Sequence, residues 1–196
     1  MFTRISEYIT QQLENENIIS ENREIYRYGI QIGLVITLNL ITSLLIGAIF
    51  GELIFSILLL AVYIPLRTYS GGYHASTTIR CYIVSSAIMV AWLSIFKWVK
   101  LPTNYCAITF FFSIIICWYL SPVDTKNKAV DDLEKKVFKK KSHTILFIYS
   151  MVYFILYYYS TVKVIIIITL AVCSESLMLV LGKVKNKKSD RSHVVP

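Results

Sequence analysis

Apolar residues in this chain come in six blocks free of charged side chains: 28–51, 53–66, 81–96, 101–123, 144–162 and 164–174, the last resuming after Glu175 at 176–182. A soluble domain interleaves apolar residues with charge. A helix that crosses roughly 30 Å of hydrocarbon needs about 20 consecutive, mostly apolar residues. Blocks 28–51, 101–123 and 144–162 meet that length outright, and the pieces on either side of Glu175 meet it together. Blocks 53–66 and 81–96 are shorter. A helix over the first of them reaches only about 21 Å at 1.5 Å per residue, so the loop between the two is placed to dip into the membrane. The expected fold is all-α, a polytopic membrane protein of about six transmembrane helices in a single domain over residues 1–196.

Charge sets the expected orientation. With six spans and both termini on one face, that face holds Arg4, Arg23, Arg27, Arg67, Arg80, the seven lysines from Lys126 to Lys141, and Lys183, Lys185, Lys187, Lys188 and Arg191. The other face keeps Lys97, Lys100 and Lys163. Seventeen cations against three is a strong positive-inside signal, and it places termini, loop 67–81 and the lysine-rich connector in the cytoplasm. That compartment keeps thiols reduced. Cys106, Cys117 and Cys173 fall inside apolar blocks and read as small core hydrophobes.

Residues 1–24 contain five acidic residues and no apolar core, which is not the pattern of a signal peptide. Phe2, Ile5, Ile9 and Leu13 recur at helical spacing among polar neighbours, as in an amphipathic helix lying on a surface. Pro65 disfavours helix at Ile64 and marks an expected end of the second span. The connector 121–143 opens with Ser121-Pro122. Its second half reads as a helix, with Asp131, Asp132 and Glu134 in the first turn and lysines following, as the helix dipole favours. A basic tail, 183–196, closes the chain.

The chemistry-bearing stretch is Arg67-Thr-Tyr-Ser-Gly71-Gly72-Tyr-His74-Ala-Ser-Thr-Thr-Ile-Arg80-Cys81. Rival chemistries lack their motifs. There is no His-Glu-x-x-His, no Gly-x-Ser-x-Gly and no Walker-type loop, and no metal or other cofactor is expected. Cysteine attacks carbonyls as its thiolate and needs a base or positive charge close by. His74 supplies the base, and Arg80 and Arg67 the charge. Arg67 is alternatively a bidentate anchor for a substrate carboxylate, and both arginines also fit plain anchoring at the interface. On one continuous helix, residues seven apart lie about 10 Å apart along the axis, too far for a base that must approach within about 3 Å. Gly71-Gly72 and Ser76-Thr77-Thr78 predict a bent or re-entrant segment instead.

Arg67, Gly71-Gly72, His74 and Cys81 resemble the signature of the accessory gene regulator protein B (AgrB) family. These are membrane-embedded cysteine endopeptidases that mature quorum-sensing propeptides in Gram-positive bacteria. The two preceding spans and the connector Ser121-Pro-Val-Asp…Asn127-Lys128…Glu134-Lys135-Lys136 are similar as well. The resemblance implies a bacterial cell-membrane location, His74 as general base and Cys81 as nucleophile. It implies a propeptide substrate with an internal cysteine, cleaved near its C-terminus through a Cys81 thioester and released as a thiolactone macrocycle.

Other residues have expected supporting roles. Lys139, Lys140 and Lys141, with Lys135 and Lys136, attract either an acidic propeptide tail or anionic lipid headgroups, or act only as a solvated positive-inside determinant. Glu175, an ionisable residue within the last span, is functional by default: it orients His74, pairs with an arginine or bridges subunits. Asp124 is a weaker candidate for orienting His74. Membrane lipids are expected partners and nucleic acid is not. Glycine and serine on span faces permit the close packing of a homodimer. The competing function is a non-catalytic transporter or assembly protein in which Cys81 is structural.

Overall fold

The computed structural model describes every residue except 1, 17, 20, 21, 74–76, 124–131 and 193–196, with backbone only for 78, 132 and 188–192. Among the described residues there are seven helices: α1 Phe2–Asn15, α2 Arg23–Ile49, α3 Leu53–Ser70, α4 Thr78–Trp98, α5 Thr103–Leu120, α6 Asp132–Tyr158 and α7 Val162–Ser192. Among these residues β-structure amounts to a single bridge, Gly71 to Val123. The architecture is that of an all-α membrane protein.

Five helices, α2, α3, α4, α5 and α7, are long and apolar enough to cross a membrane. The block 144–162 belongs to a different kind of element. Residues 144–158 of it are the second half of α6, which starts at Asp132, so the expected connector helix and most of the expected fifth span are one continuous rod. Lysines fill the first half, and Tyr149, Tyr153, Tyr157 and Tyr158 dilute the apolarity of the second.

The core forms around α7. Buried residues make up 72% of its apolar window, against 11% for α4. Ile165–Ile168, Leu170, Ala171, Val172 and Leu179 are all buried. α7 packs against α3, α5 and α6, while α4 packs on α2 and α3. A helix apolar all round is suited to such a central place, and the run Val164–Leu170 is of that kind. The peripheral helices turn large apolar side chains outward, as lipid-facing surfaces require: Ile36, Ile54, Ile83, Phe112 and Phe154 are exposed.

One expectation about a boundary is corrected. α3 runs through Pro65 and on to Ser70. Proline removes one helical donor and crowds the preceding turn, and in a membrane bundle neighbouring side chains make good the lost bonds. Here the hydroxyl of Tyr149 on α6 donates to the Val62 carbonyl at 2.8 Å, one residue from the Ala61 carbonyl whose helical donor Pro65 removes. Tyr149→Phe is expected to lower stability by about 1 kcal/mol, the net worth of one such bond, measured by thermal unfolding in detergent. An unchanged melting point would show that the carbonyl needs no such donor.

α1 is the amphipathic N-terminal helix expected from the sequence. Its stripe Phe2, Ile5, Ile9 and Leu13 is half-buried because the helix docks on α2 of the same chain. Glu7 pairs with Arg23 at 3.2 Å and Arg27 at 3.0 Å, and Glu14 with Arg23 at 3.5 Å. These pairs are well exposed and contribute little each; they fix register more than they stabilise.

Candidate active site

α3 ends where Gly71 takes φ +73° and Gly72 φ +115°, a backbone that L side chains rarely adopt. The Gly71 N–H closes the helix onto the Arg67 carbonyl at 3.2 Å. The chain then runs in a short seam between the residues after α5 and the flank of α7. Val123 N–H donates to the Ser70 carbonyl at 2.9 Å, and Gly72 N–H to the Val123 carbonyl at 3.4 Å. Tyr73 N–H donates to the Met178 carbonyl of α7 at 2.8 Å. Beneath the seam, the buried hydroxyl of Ser142 on α6 joins those of Ser70 (2.9 Å) and Ser121 (2.8 Å). The ends of α3 and α5 are thereby tied to the middle of α6.

Arg67 is the clamp of this seam. Its guanidinium donates from Nη1 to the carbonyl of Gly71 and from Nη2 to that of Tyr73. The same Nη1 lies 3.8 Å from Oε1 of Glu175. Glu175 is fully buried, and neither carboxylate oxygen has a hydrogen-bond partner among the described residues. Of the roles open to Glu175 from sequence, the geometry shows pairing with an arginine, namely Arg67. A planar fork suits this task because one rigid group holds two carbonyls and faces a carboxylate.

Glycine is required where the seam meets α7. A Cβ on Gly182 would come within 2.7 Å of the Gly72 carbonyl carbon, and a Cβ on Gly72 within 3.1 Å of the Met178 carbonyl oxygen. Glu175, Met178, Leu179 and Gly182 follow one face of α7 at helical spacing. That spacing was legible in the sequence, and Gly182 was its missed member. Gly182→Ala is expected to push the seam off α7 and lower activity by about 10²-fold, the order expected for a misplacement of roughly 1 Å, with helix content unchanged by circular dichroism. Full activity in this variant would refute the close approach.

Cys81 stands half-buried in the first turn of α4. Thr77 caps that helix, its Oγ1 accepting from the Arg80 N–H at 3.3 Å, and the Cys81 N–H donates to the Thr77 carbonyl at 3.1 Å. Tyr82 Oη, 3.0 Å from Thr42 Oγ1, ties this turn to α2. Arg80 is exposed. His74 and Asp124 lie outside the described residues.

The lysines form a different surface. Lys139 and Lys140 line an open groove with Trp118, Lys136, His143, Thr144 and Phe147, while Lys141 Nζ sits 4.9 Å from the centre of the Tyr69 ring. Cys106 and Cys117 are buried and Cys173 is half-buried, as small core residues are.

Residues 3–179 match the family model described as Accessory gene regulator B. An AgrB-like protein 2 of Clostridium perfringens is 30% identical over 158 residues, covering 76% of this chain and 74% of that one. An AgrB-like protein of Listeria welshimeri is 28% identical over 119 residues, covering 59% and 57%. No solved structure matches significantly. With a family model spanning nearly its whole length and a relative matched over three quarters of both chains, this chain belongs to the accessory gene regulator B family.

Proposed function

We propose that the chain is a membrane-embedded cysteine endopeptidase that converts a propeptide with an internal cysteine into a thiolactone. The observation that carries this is the placement of Cys81 in the first turn of a capped helix, eight residues along the chain from the backbone seam that Arg67 clamps at Gly71 and Tyr73. A helix start is a favourable place for a developing anion, and a clamped approach reduces the entropy of bringing base and nucleophile together.

In the proposed reaction, His74 takes the Cys81 proton as the sulfur attacks the scissile carbonyl. The tetrahedral intermediate collapses, the C–N bond breaks, and His74 returns the proton to the departing amine. The N-terminal portion is then a thioester on Cys81. The propeptide's own cysteine, deprotonated by His74, attacks that thioester; Cys81 leaves as thiolate and is reprotonated. One thioester replaces another, so the second step depends on positioning rather than on driving force. Partial exclusion of water protects the acyl-enzyme from hydrolysis. Arg67, Gly71, Gly72 and Glu175 act as positioning residues for the segment that leads into His74. We assign the reaction to the cytoplasmic side on the positive-inside rule, because seventeen of the twenty Lys and Arg residues fall on one face when both termini share it.

The test is intact mass of the purified protein in liposomes after incubation with its propeptide, with wild type beside Cys81→Ala. A thioester adduct on wild type and none on the variant supports the proposal. Unmodified protein and intact propeptide overturn it.

A further inference from the structure

Lys136, Lys139, Lys140, His143, Thr144 and Phe147 follow one face of α6 at three- and four-residue steps, and together with Trp118 of α5 they line an open groove of about 550 Å³. Its chemistry is graded along the helix. The lysines occupy the second and third turns and are exposed. His143 follows, lying flat on Trp118 with ring centres 3.8 Å apart and planes at 8°, and its Nε2 is 3.1 Å from the Trp118 carbonyl. That carbonyl only accepts, so the contact makes Nε2 the donor and fixes the ring as a wall of the groove.

Below this level the surface is apolar on both sides. Phe147, Met151, Phe154 and Ile155 continue the α6 stripe, and Trp118, Ile115, Phe111 and Ile108 descend along α5; all eight are exposed. No acidic residue lines the groove among the described residues.

We propose that this groove is a binding site for one anionic phospholipid, its phosphate held by Lys136, Lys139 and Lys140 and an acyl chain laid in the α5–α6 cleft. Each half of the surface answers one half of such a molecule. Cations at one level attract an anionic headgroup, and a ring stack at the boundary is suited to the interface between headgroups and hydrocarbon. The exposed stripes beneath need apolar cover over several turns, which an acidic peptide tail or a free phosphate does not supply. The site differs from the Arg67–Glu175 seam and does not depend on the proposed catalytic chemistry.

The test uses the full chain with Trp118 as the one tryptophan (Trp92→Phe, Trp98→Phe), reconstituted in phosphatidylcholine vesicles. These are doped with phosphatidylglycerol carrying brominated acyl chains, which quench tryptophan on contact. Half-quenching is expected at a lipid fraction at least about tenfold lower than with brominated phosphatidylcholine. Lys136→Gln/Lys139→Gln/Lys140→Gln is expected to erase that preference, and the triple arginine variant to keep it. Equal quenching by both lipids, or a preference that survives the glutamine variant, overturns the proposal. Restoration of fluorescence by an acidic peptide or by inorganic phosphate, each at millimolar level, reassigns the lysines to that ligand and also overturns it. Loss of the preference in the arginine variant as well overturns it, because charge at those positions would then not suffice.

Discussion

Replacing Cys81 by alanine is expected to abolish both cleavage and cyclisation, and His74→Ala to slow cleavage by about 10²–10⁴-fold, the usual contribution of a positioned general base. The asymmetry follows from chemistry. Without the sulfur there is no acyl-enzyme, whereas without the imidazole a minor thiolate population still reacts. Product mass then separates two kinds of peptidase. A cyclase releases a peptide one water lighter than the linear acid; a simple hydrolase releases the acid. With a propeptide whose internal cysteine is changed to alanine, the thioester on Cys81 is expected to accumulate and drain slowly to linear acid, because only water remains to attack it. Cleavage that persists in Cys81→Ala, or cyclic product formed from the cysteine-free propeptide, would sink the mechanism.

Much of the fold is legible in the sequence. Charge-free blocks mark membrane spans because hydrocarbon tolerates no unpaired charge, and that constraint acts on single segments. The break between α3 and α4 was legible in Gly71-Gly72 for the same local reason. The features that were not legible depend on partners far away in sequence. Pro65 reads as a helix end until Tyr149, 87 residues on, donates to the Val62 carbonyl. The central place of α7 follows from which helices surround it, and its composition differs little from a lipid-facing span. Glu175 was visible as an anomaly, but its pairing with Arg67 is a matter of packing. Gly182 carried a readable signal, its seven-residue offset from Glu175, and gained meaning only when the Gly72 backbone was seen against it. Arg67 stood out as a charge for the thiol or an anchor for a substrate carboxylate, yet its hydrogen bonds go to backbone carbonyls, which no sequence motif marks.

The Arg67–Glu175 pair offers a way to separate stability from function. Glu175 has no exposed surface and no hydrogen-bond partner for either oxygen among the described residues, so Arg67 is the cation that faces its charge at 3.8 Å. Removing one member of a buried pair leaves an uncompensated charge and typically costs about 3–5 kcal/mol. Arg67→Met is therefore expected to lower stability by that order, seen as a fall in the thermal midpoint in detergent. Replacing both members by apolar residues of similar size is often neutral, within about 1–4 kcal/mol on the stabilising side, so Arg67→Met/Glu175→Leu is expected to regain what the single variant loses. Activity is expected to behave differently. The double variant still lacks the donors that hold the carbonyls of Gly71 and Tyr73, so the segment entering His74 stays unbraced and turnover stays low. Glu175→Gln keeps those donors and is expected to retain more activity than either methionine variant. A positioning role thus requires stability without activity in the double variant. If the double variant recovers both, Arg67 serves the fold alone; if Arg67→Met melts as wild type does, the buried carboxylate is not charged against it.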